Sequence, residues 1–305
     1  MDILFITANR LGDAILSTGV LHHVVRAHPE AQLTVASGPV AADLFRAVPR
    51  LKKMISLQKQ PFYGHWRKLW AECWPVDWEM IIDFRHTPII HCLRAKQRVQ
   101  RVGTSGLHKV IQNAALIDRA DDPPAPYIFI ADDAHQKAQQ WMGEGPVVAL
   151  GPAANWPAKQ WPVSHFCGLI HALLKKDDAR FLILAAAHEA EMIAPAIAAV
   201  PEARRLLLLG ADLQMAAACL ARARYFVGND SGLMHLSAAV GTPTLGLFGP
   251  SPHALYAPWG PKTRTIHTPE SRDELLARLP YHGAFYPNLM GGLTVDAVLK
   301  GIEEF

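Results

Sequence analysis

Short apolar, β-branched runs alternate with helix-period segments through both halves of this 305-residue chain, and that alternation restricts its fold more than any other feature. In the first half the strand candidates are Ile3–Thr7, Gln32–Ala36, Lys53–Leu57, Met80–Phe84 and Arg98–Val102, with helix candidates Asp13–Arg26 and Val40–Ala47. In the second half Val147–Gly151, Phe181–Ala185, Leu206–Leu209, Tyr225–Gly228 and Thr244–Phe248 read as strands, and His165–Lys175, Glu189–Ala199, Leu213–Ala221 and Ser231–Val240 as helices. Strands buried on both faces read as continuous apolar runs, so this pattern predicts parallel sheets covered by helices. Each half holds enough elements for one doubly wound domain, and the length suits two. Asp121-Asp122-Pro123-Pro124-Ala125-Pro126 is the sharpest break in composition, and the chain from there to about Gly145 reads as the approach to a hinge. The expected domains are 1–140 and 141–305. Open parallel sheets bind ligands beyond the carboxyl ends of their strands, which places the expected site in a cleft between the two domains.

Half of the residues are hydrophobic, as in ordinary soluble globular chains. No apolar run approaches the ~20 residues that span a bilayer. Met1 to Ile6 runs straight into a strand without the layout of a signal peptide, so a cytoplasmic address is expected. Cys73, Cys92, Cys167 and Cys219 are scattered with no CxxC pair, which argues against a disulfide framework or a structural zinc. The net charge of +3 hides an asymmetry: residues 46–109 carry 13 Lys/Arg against 4 Asp/Glu. Such a face is either simply solvated or meets an anionic partner. No nucleic-acid recognition motif accompanies it, so no nucleic-acid partner is expected.

The most informative stretch is Tyr225-Phe226-Val227-Gly228-Asn229-Asp230-Ser231-Gly232-Leu233-Met234-His235-Leu236. A buried strand ends at Gly228, Asn229 and Asp230 are natural N-caps, and an amphipathic helix runs on to Gly241. The free N–H groups and positive dipole end of that helix make an anion site. Gly232 lets a phosphate approach the backbone, Ser231 adds a hydroxyl, and His235 lies one turn on. Two further loops are expected to meet this one: Gly151 to Pro162, in which Lys159 can neutralise a diphosphate, and Pro243 to Trp259-Gly260. There is no GxxxxGK[ST] loop, and Gly103-Thr104-Ser105-Gly106 lacks the spacing of a dinucleotide fingerprint. The acidic pairs at 121–122, 132–133 and 177–178 fall away from strand ends, so no divalent-metal site is expected.

In the first half, Ile3–Thr7 leads through Ala8-Asn9-Arg10-Leu11-Gly12 to Asp13 and a helix. Asp13 reads equally as a first-turn carboxylate of that helix and as a general base. A helix N-terminus favours the ionised carboxylate, whereas a base works best with a pKa near the operating pH. Tyr63, Trp66, Trp70 and Trp74 with Arg67 and Lys68 form an aromatic–basic helix candidate, serving either as core or as a face resting on a membrane surface.

Taken together, these motifs resemble glycosyltransferase family 9, the ADP-heptose:lipopolysaccharide heptosyltransferases. The matching parts are Ile6 through Asp13, Lys159-Gln160-Trp161-Pro162, Gly228 through Leu236, and Gly241-Thr242-Pro243 through Phe248-Gly249-Pro250, in the family's order. The resemblance implies a GT-B fold of two Rossmann-like domains. It also implies a metal-independent, inverting transfer of heptose from ADP-L-glycero-β-D-manno-heptose to a Kdo or heptose hydroxyl of the lipopolysaccharide inner core. By that resemblance Asp13 is the base and Lys159 the phosphate-binding lysine. Asp230 lies near the donor sugar, and Ser231, Gly232 and His235 contact the diphosphate. Glu189 is a candidate for the ribose and Leu213–Met215 for the adenine wall. Arg50, Lys53, Arg94, Lys96, Arg98 and Arg101 become candidates for the anionic core acceptor. No cofactor is expected, and peripheral attachment to the inner face of the inner membrane stays open. The region 59–109 matches the family least closely, which leaves the acceptor open, together with donors other than ADP-heptose.

Overall fold

The computed structural model describes residues 1–100, 106–176, 178–279 and 287–305. They form two compact units, Met1–Ala131 and Asp132–Phe305. The first contains β1 (Asp2–Ile6), α1 (Leu11–Ala27), β2 (Gln32–Ser37), α2 (Pro39–Ala42), β3 (Leu51–Ser56), α3 (Gly64–Cys73), β4 (Trp78–Asp83), β5 (Ala95–Gln100) and α4 (Lys109–Ala114). Its sheet is parallel in the order β3-β2-β1-β4-β5. The chain winds outward from β1 through β2 to β3, then crosses back to β4. Its topological switch point therefore lies between the carboxyl ends of β1 and β4.

The central strand β1 is apolar and inaccessible from Ile3 to Ile6 because helices cover both of its faces. On one face Leu69 and Cys73 of α3 join Leu4, Ile6, Ile55 and Ile81 in the core, with Trp66 partly buried against them. Trp70 of this helix and Trp74 just after it stay exposed with rings 5.2 Å apart, so the aromatic stripe is divided between core and surface. The stretch after α4 folds back over α1: Tyr127 N–H donates to Thr18 Oγ1 at 3.0 Å. A Cβ on Gly19 would stand 2.1 Å from the carbonyl oxygen of Pro124, so only glycine admits this crossing.

The second unit contains α5 (Asp132–Met142), β6 (Val147–Gly151), α6 (Val163–Lys176), β7 (Arg180–Ala185), α7 (Ala194–Ala199), β8 (Arg205–Leu209), α8 (Leu213–Ala221), β9 (Tyr225–Asn229), α9 (Gly232–Ala239), β10 (Thr244–Phe248), α10 (His253–Tyr256), β11 (Thr263–His267), α11 (Arg272–Ala277) and α12 (Val295–Glu303). Its six-stranded parallel sheet has the order β11-β10-β9-β6-β7-β8, which puts the switch point between β6 and β9. The sequence-based division at 140 falls within α5. That helix packs on α8 of the second unit, burying Ala134, Ala138 and Met142.

Four local expectations differ. The helix expected over Val40–Ala47 is realised as the short α2 followed by a 3-10 turn, Asp43–Phe45. The helix expected over Glu189–Ala199 is realised only as Ala194–Ala199, because Glu189 folds its carboxylate back onto a tight turn. The strand expected at Arg98–Val102 is found at Ala95–Gln100; residues 101–105 lie outside the described set. The edge strand β11 was not foreseen, since Thr-Arg-Thr-Ile-His offers no apolar run. The four cysteines are free thiols, and burial pushes Cys73 and Cys219 up to about 12, as expected of core residues rather than ligands.

Candidate active site

The site in the second unit is assembled where β6 and β9 end side by side. Gly151 and Gly228 are register partners, and a Cβ on either would stand 2.6 Å from the ring of Phe226. Both positions therefore need glycine, because the Phe226 ring packs against the pair. Asn229 follows and is wholly buried. Its Nδ2 donates to the Pro152 carbonyl at 2.8 Å, while its Oδ1 accepts from Trp161 N–H at 2.8 Å. The Trp161 indole N–H donates in turn to the Leu293 carbonyl at 2.8 Å, deep in the core. One side chain thus fastens both ends of the loop after β6.

That loop carries Lys159 at the end of a 3-10 turn, Pro157–Lys159. Its Nζ donates to Asp230 Oδ2 at 3.1 Å, with only 16% and 10% of the two side chains exposed. His235 Nε2 lies 3.9 Å from Asp230 Oδ1. Ser231, in extended conformation, is the N-cap of α9 but does not cap it: its Oγ is buried with no hydrogen-bond partner among the described residues. Gly232 is the first helical residue. The expectation that Asn229 and Asp230 cap this helix is corrected, because the first is spent on the loop strap and the second on Lys159. What results is the Lys159–Asp230 pair, an unpartnered Ser231 hydroxyl and the N–H groups of a helix start at one strand edge, chemistry suited to receiving an anion.

Asn229→Ala would leave the Trp161 N–H and the Pro152 carbonyl buried without partners. The expected cost is about 2–4 kcal/mol, measured by chemical denaturation, with loss of nucleotide affinity as the Lys159 loop comes loose.

Glu189 follows the neighbouring strand β7. Its Oε2 accepts from its own turn at Ala186 N–H, 2.8 Å away, which fixes the carboxylate at the same sheet edge. The Leu213–Met215 segment forms the first turn of α8, whose N-cap Asp212 accepts from Met215 N–H at 2.7 Å. Among the described residues no group of three or more His, Cys, Asp or Glu side chains is placed to hold a metal ion.

In the first unit Asp13 is the third residue of α1, half-exposed, just beyond the carboxyl end of β1. Thr7 Oγ1 and Ser17 Oγ, both buried, bond at 2.7 Å and lock the strand end to the second turn of the helix. Asp13 is therefore carried on a rigid strand-to-helix corner.

The basic acceptor candidates are placed otherwise. Arg50 and Arg94 precede β3 and β5, so they stand at the amino edge of the sheet, about 17 Å of strand away from the edge that bears Asp13. Arg50 pairs with Glu30 at 2.8 Å, Lys53 with Glu72 at 3.1 Å, Arg94 with Asp77 at 3.1 Å and Lys96 with Glu79 at 2.8 Å. The Arg98 guanidinium is spent on the carbonyls of Ile90, Ala95 and Leu93. Arg101 lies outside the described residues. The five described candidates are thus each engaged by a carboxylate or by backbone carbonyls of their own unit. Charge counting over 46–109 included Glu72, Asp77 and Glu79 but could not show which cations they meet.

Comparison with solved structures defines the fold. The chain is similar to the Escherichia coli ADP-heptose lipopolysaccharide heptosyltransferase II, with a TM-score of 0.78 and 22% identity over 100% of this chain and 98% of that one. That likeness makes the fold GT-B. The model of glycosyltransferase family 9 (heptosyltransferase) matches residues 84–277, and the chain belongs to that family. The lipooligosaccharide heptosyltransferase 2 of Haemophilus influenzae is 29% identical over 205 residues, 62% of this chain and 58% of its own length. The corresponding protein of Haemophilus ducreyi is 23% identical over 92% of this chain and 89% of its own. Lys159, Glu189 and the Asp230–His235 segment lie inside the family match; Asp13 lies before it.

Proposed function

We propose that this chain is an inverting glycosyltransferase that moves heptose from ADP-L-glycero-β-D-manno-heptose to a hydroxyl of the lipopolysaccharide inner core, on Kdo or heptose. The observation that carries the reading is the Lys159–Asp230 pair beside the uncommitted Ser231 Oγ at the start of α9. In the transfer, the acceptor oxygen gives its proton to Asp13 and forms the new bond to the anomeric carbon. The bond from that carbon to the β-phosphate oxygen breaks, and ADP leaves with the electron pair. Negative charge builds on the departing diphosphate. Lys159 Nζ, Ser231 Oγ and the first N–H groups of α9 are the groups suited to stabilise it, held in place before the reaction begins. This arrangement does the work for which other transferases recruit magnesium, so full activity is expected in EDTA; activity lost in EDTA and restored by a divalent ion contradicts the proposal.

Thermal-shift titration tests the donor class. ADP is expected to raise Tm in a saturable way, by mass action on the folded state, with UDP and GDP weaker. A response to UDP alone would redirect the proposal to a GT-B transferase using another nucleotide sugar. Affinity for ADP without transfer to any core acceptor would reduce it to a nucleotide-sugar-binding protein. Among the described residues no helix is long and apolar enough to cross a membrane. The exposed Phe62, Tyr63, Trp70 and Trp74, close in sequence to Lys59, Arg67 and Lys68, support peripheral attachment of a cytoplasmic enzyme to the inner face of the inner membrane.

A further inference from the structure

The loop after β4 contains an arginine that the assignments above do not use. Asp83, wholly buried at the end of β4, accepts from Arg85 N–H at 2.8 Å, Thr87 N–H at 2.6 Å and Thr87 Oγ1 at 2.9 Å. Gln100 Nε2 donates to both Asp83 Oδ2 and the Thr87 carbonyl, each at 3.1 Å. Between them His86 is held in the left-handed region at φ 58°. A non-glycine residue keeps that conformation only where its surroundings over-determine it, and such residues cluster at binding sites.

Asp83, Thr87 and Gln100 are thus paired with one another, and the guanidinium of Arg85 is left over. It lies over the Trp66 ring, 4.5 Å from the centroid, and its Nη1 is buried with no hydrogen-bond partner among the described residues. Burial lowers the Arg85 pKa from its usual value, opposed by the Asp83 carboxylate. Asp83 supplies charge, but its two oxygens already accept four hydrogen bonds. The ring belongs to the first turn of α3, whose free N–H groups carry positive rather than negative partial charge. A buried N–H of a permanent cation, stacked in place by an indole, is a donor preorganised for an oxyanion that arrives from outside.

The position fits that role. Ile6 of β1 and Asp83 of β4 are register partners, so the Arg85 loop and the corner bearing Asp13 flank the switch point of the first sheet at its carboxyl edge. We propose that Arg85, stacked on Trp66, binds an anionic oxygen of the acceptor, a carboxylate or a phosphate next to the reacting hydroxyl, and so sets which acceptors are used. This deepens the transferase reading and rests on it.

Steady-state kinetics of Arg85→Ala and Arg85→Lys tests the assignment. Arg85→Ala is expected to raise the acceptor KM roughly ten-fold or more, with ADP affinity and Tm close to wild type, and Arg85→Lys to restore part of the loss. An acceptor stripped of the recognised group should no longer distinguish wild type from Arg85→Ala. An unchanged acceptor KM, or a parallel fall in Tm and ADP affinity, overturns the proposal. A separate readout covers the case in which the wild type transfers no heptose and the transferase reading itself fails. Free Kdo and inorganic phosphate are titrated against tryptophan fluorescence, with Trp66→Phe as the background. A saturable change that needs both Trp66 and Arg85 supports the anion site, and the ligand producing it separates carboxylate from phosphate. No saturable change with either anion overturns it.

Discussion

Asp13→Asn is expected to lower kcat by about 10²–10⁴-fold while leaving ADP affinity near that of the wild type. The substitution keeps the size and hydrogen-bonding shape of the side chain but removes its capacity to take a proton. The Thr7–Ser17 bond and the buried run of α1 from Ala14 to Leu21 hold the corner whatever residue occupies position 13, so the backbone should not move. Loss of a carboxylate from a helix first turn costs about 0.3–1 kcal/mol, which a small Tm decrease would register. The donor groups belong to a different sheet, and nucleotide binding should not sense the change. A general base contributes most when the acceptor hydroxyl is already oriented beside it. Turnover retained in Asp13→Asn removes Asp13 from this role.

The second large effect is at Lys159. Lys159→Met is expected to weaken ADP binding and to lower kcat by about 10²–10³-fold, the loss found when one preorganised donor to a developing oxyanion is removed. It should also destabilise the protein by about 1–3 kcal/mol, because Asp230, only 10% exposed, loses the cation at 3.1 Å. The two consequences can be separated. Adding Asp230→Asn removes the stranded carboxylate, so the double variant should regain much of the stability while its transfer stays impaired. Recovery of transfer together with stability would mean that Lys159 serves the fold and not the diphosphate.

The parts of this molecule that were legible in its sequence are those whose causes are local. Strands β1, β6, β7, β9 and β10 are buried on both faces, so their apolar runs announce them and their alternation with helices announces parallel sheets. The turn from β9 into α9 was legible for the same reason: strand end, polar turn and helix start follow one another within a few residues. Asp13 was placed at its corner by the same logic. Edge strands were harder. In β5 the sequence Ala-Lys-Gln-Arg-Val-Gln is largely exposed, and in β11 neighbouring polar side chains hide the strand. Side-chain destinations set by distant partners were not legible. Asn229 looked like a cap, yet it ties strands to residues 68 and 77 positions away. Lys53 and Lys96 stood among the acceptor candidates, yet each meets a carboxylate on an adjoining element. Arg85 carried no signal beyond its position after a buried Asp; only the missing partner at Nη1 draws notice to it.

The most direct test of the central claim is a mass-spectrometric transfer assay with ADP-L-glycero-β-D-manno-heptose and a set of truncated lipopolysaccharide core acceptors, with EDTA present. The account predicts an acceptor product heavier by one heptose and a matching release of ADP, both absent in Asp13→Asn. No heptosylated product from any acceptor in the set, or transfer from a UDP-sugar in its place, would contradict it.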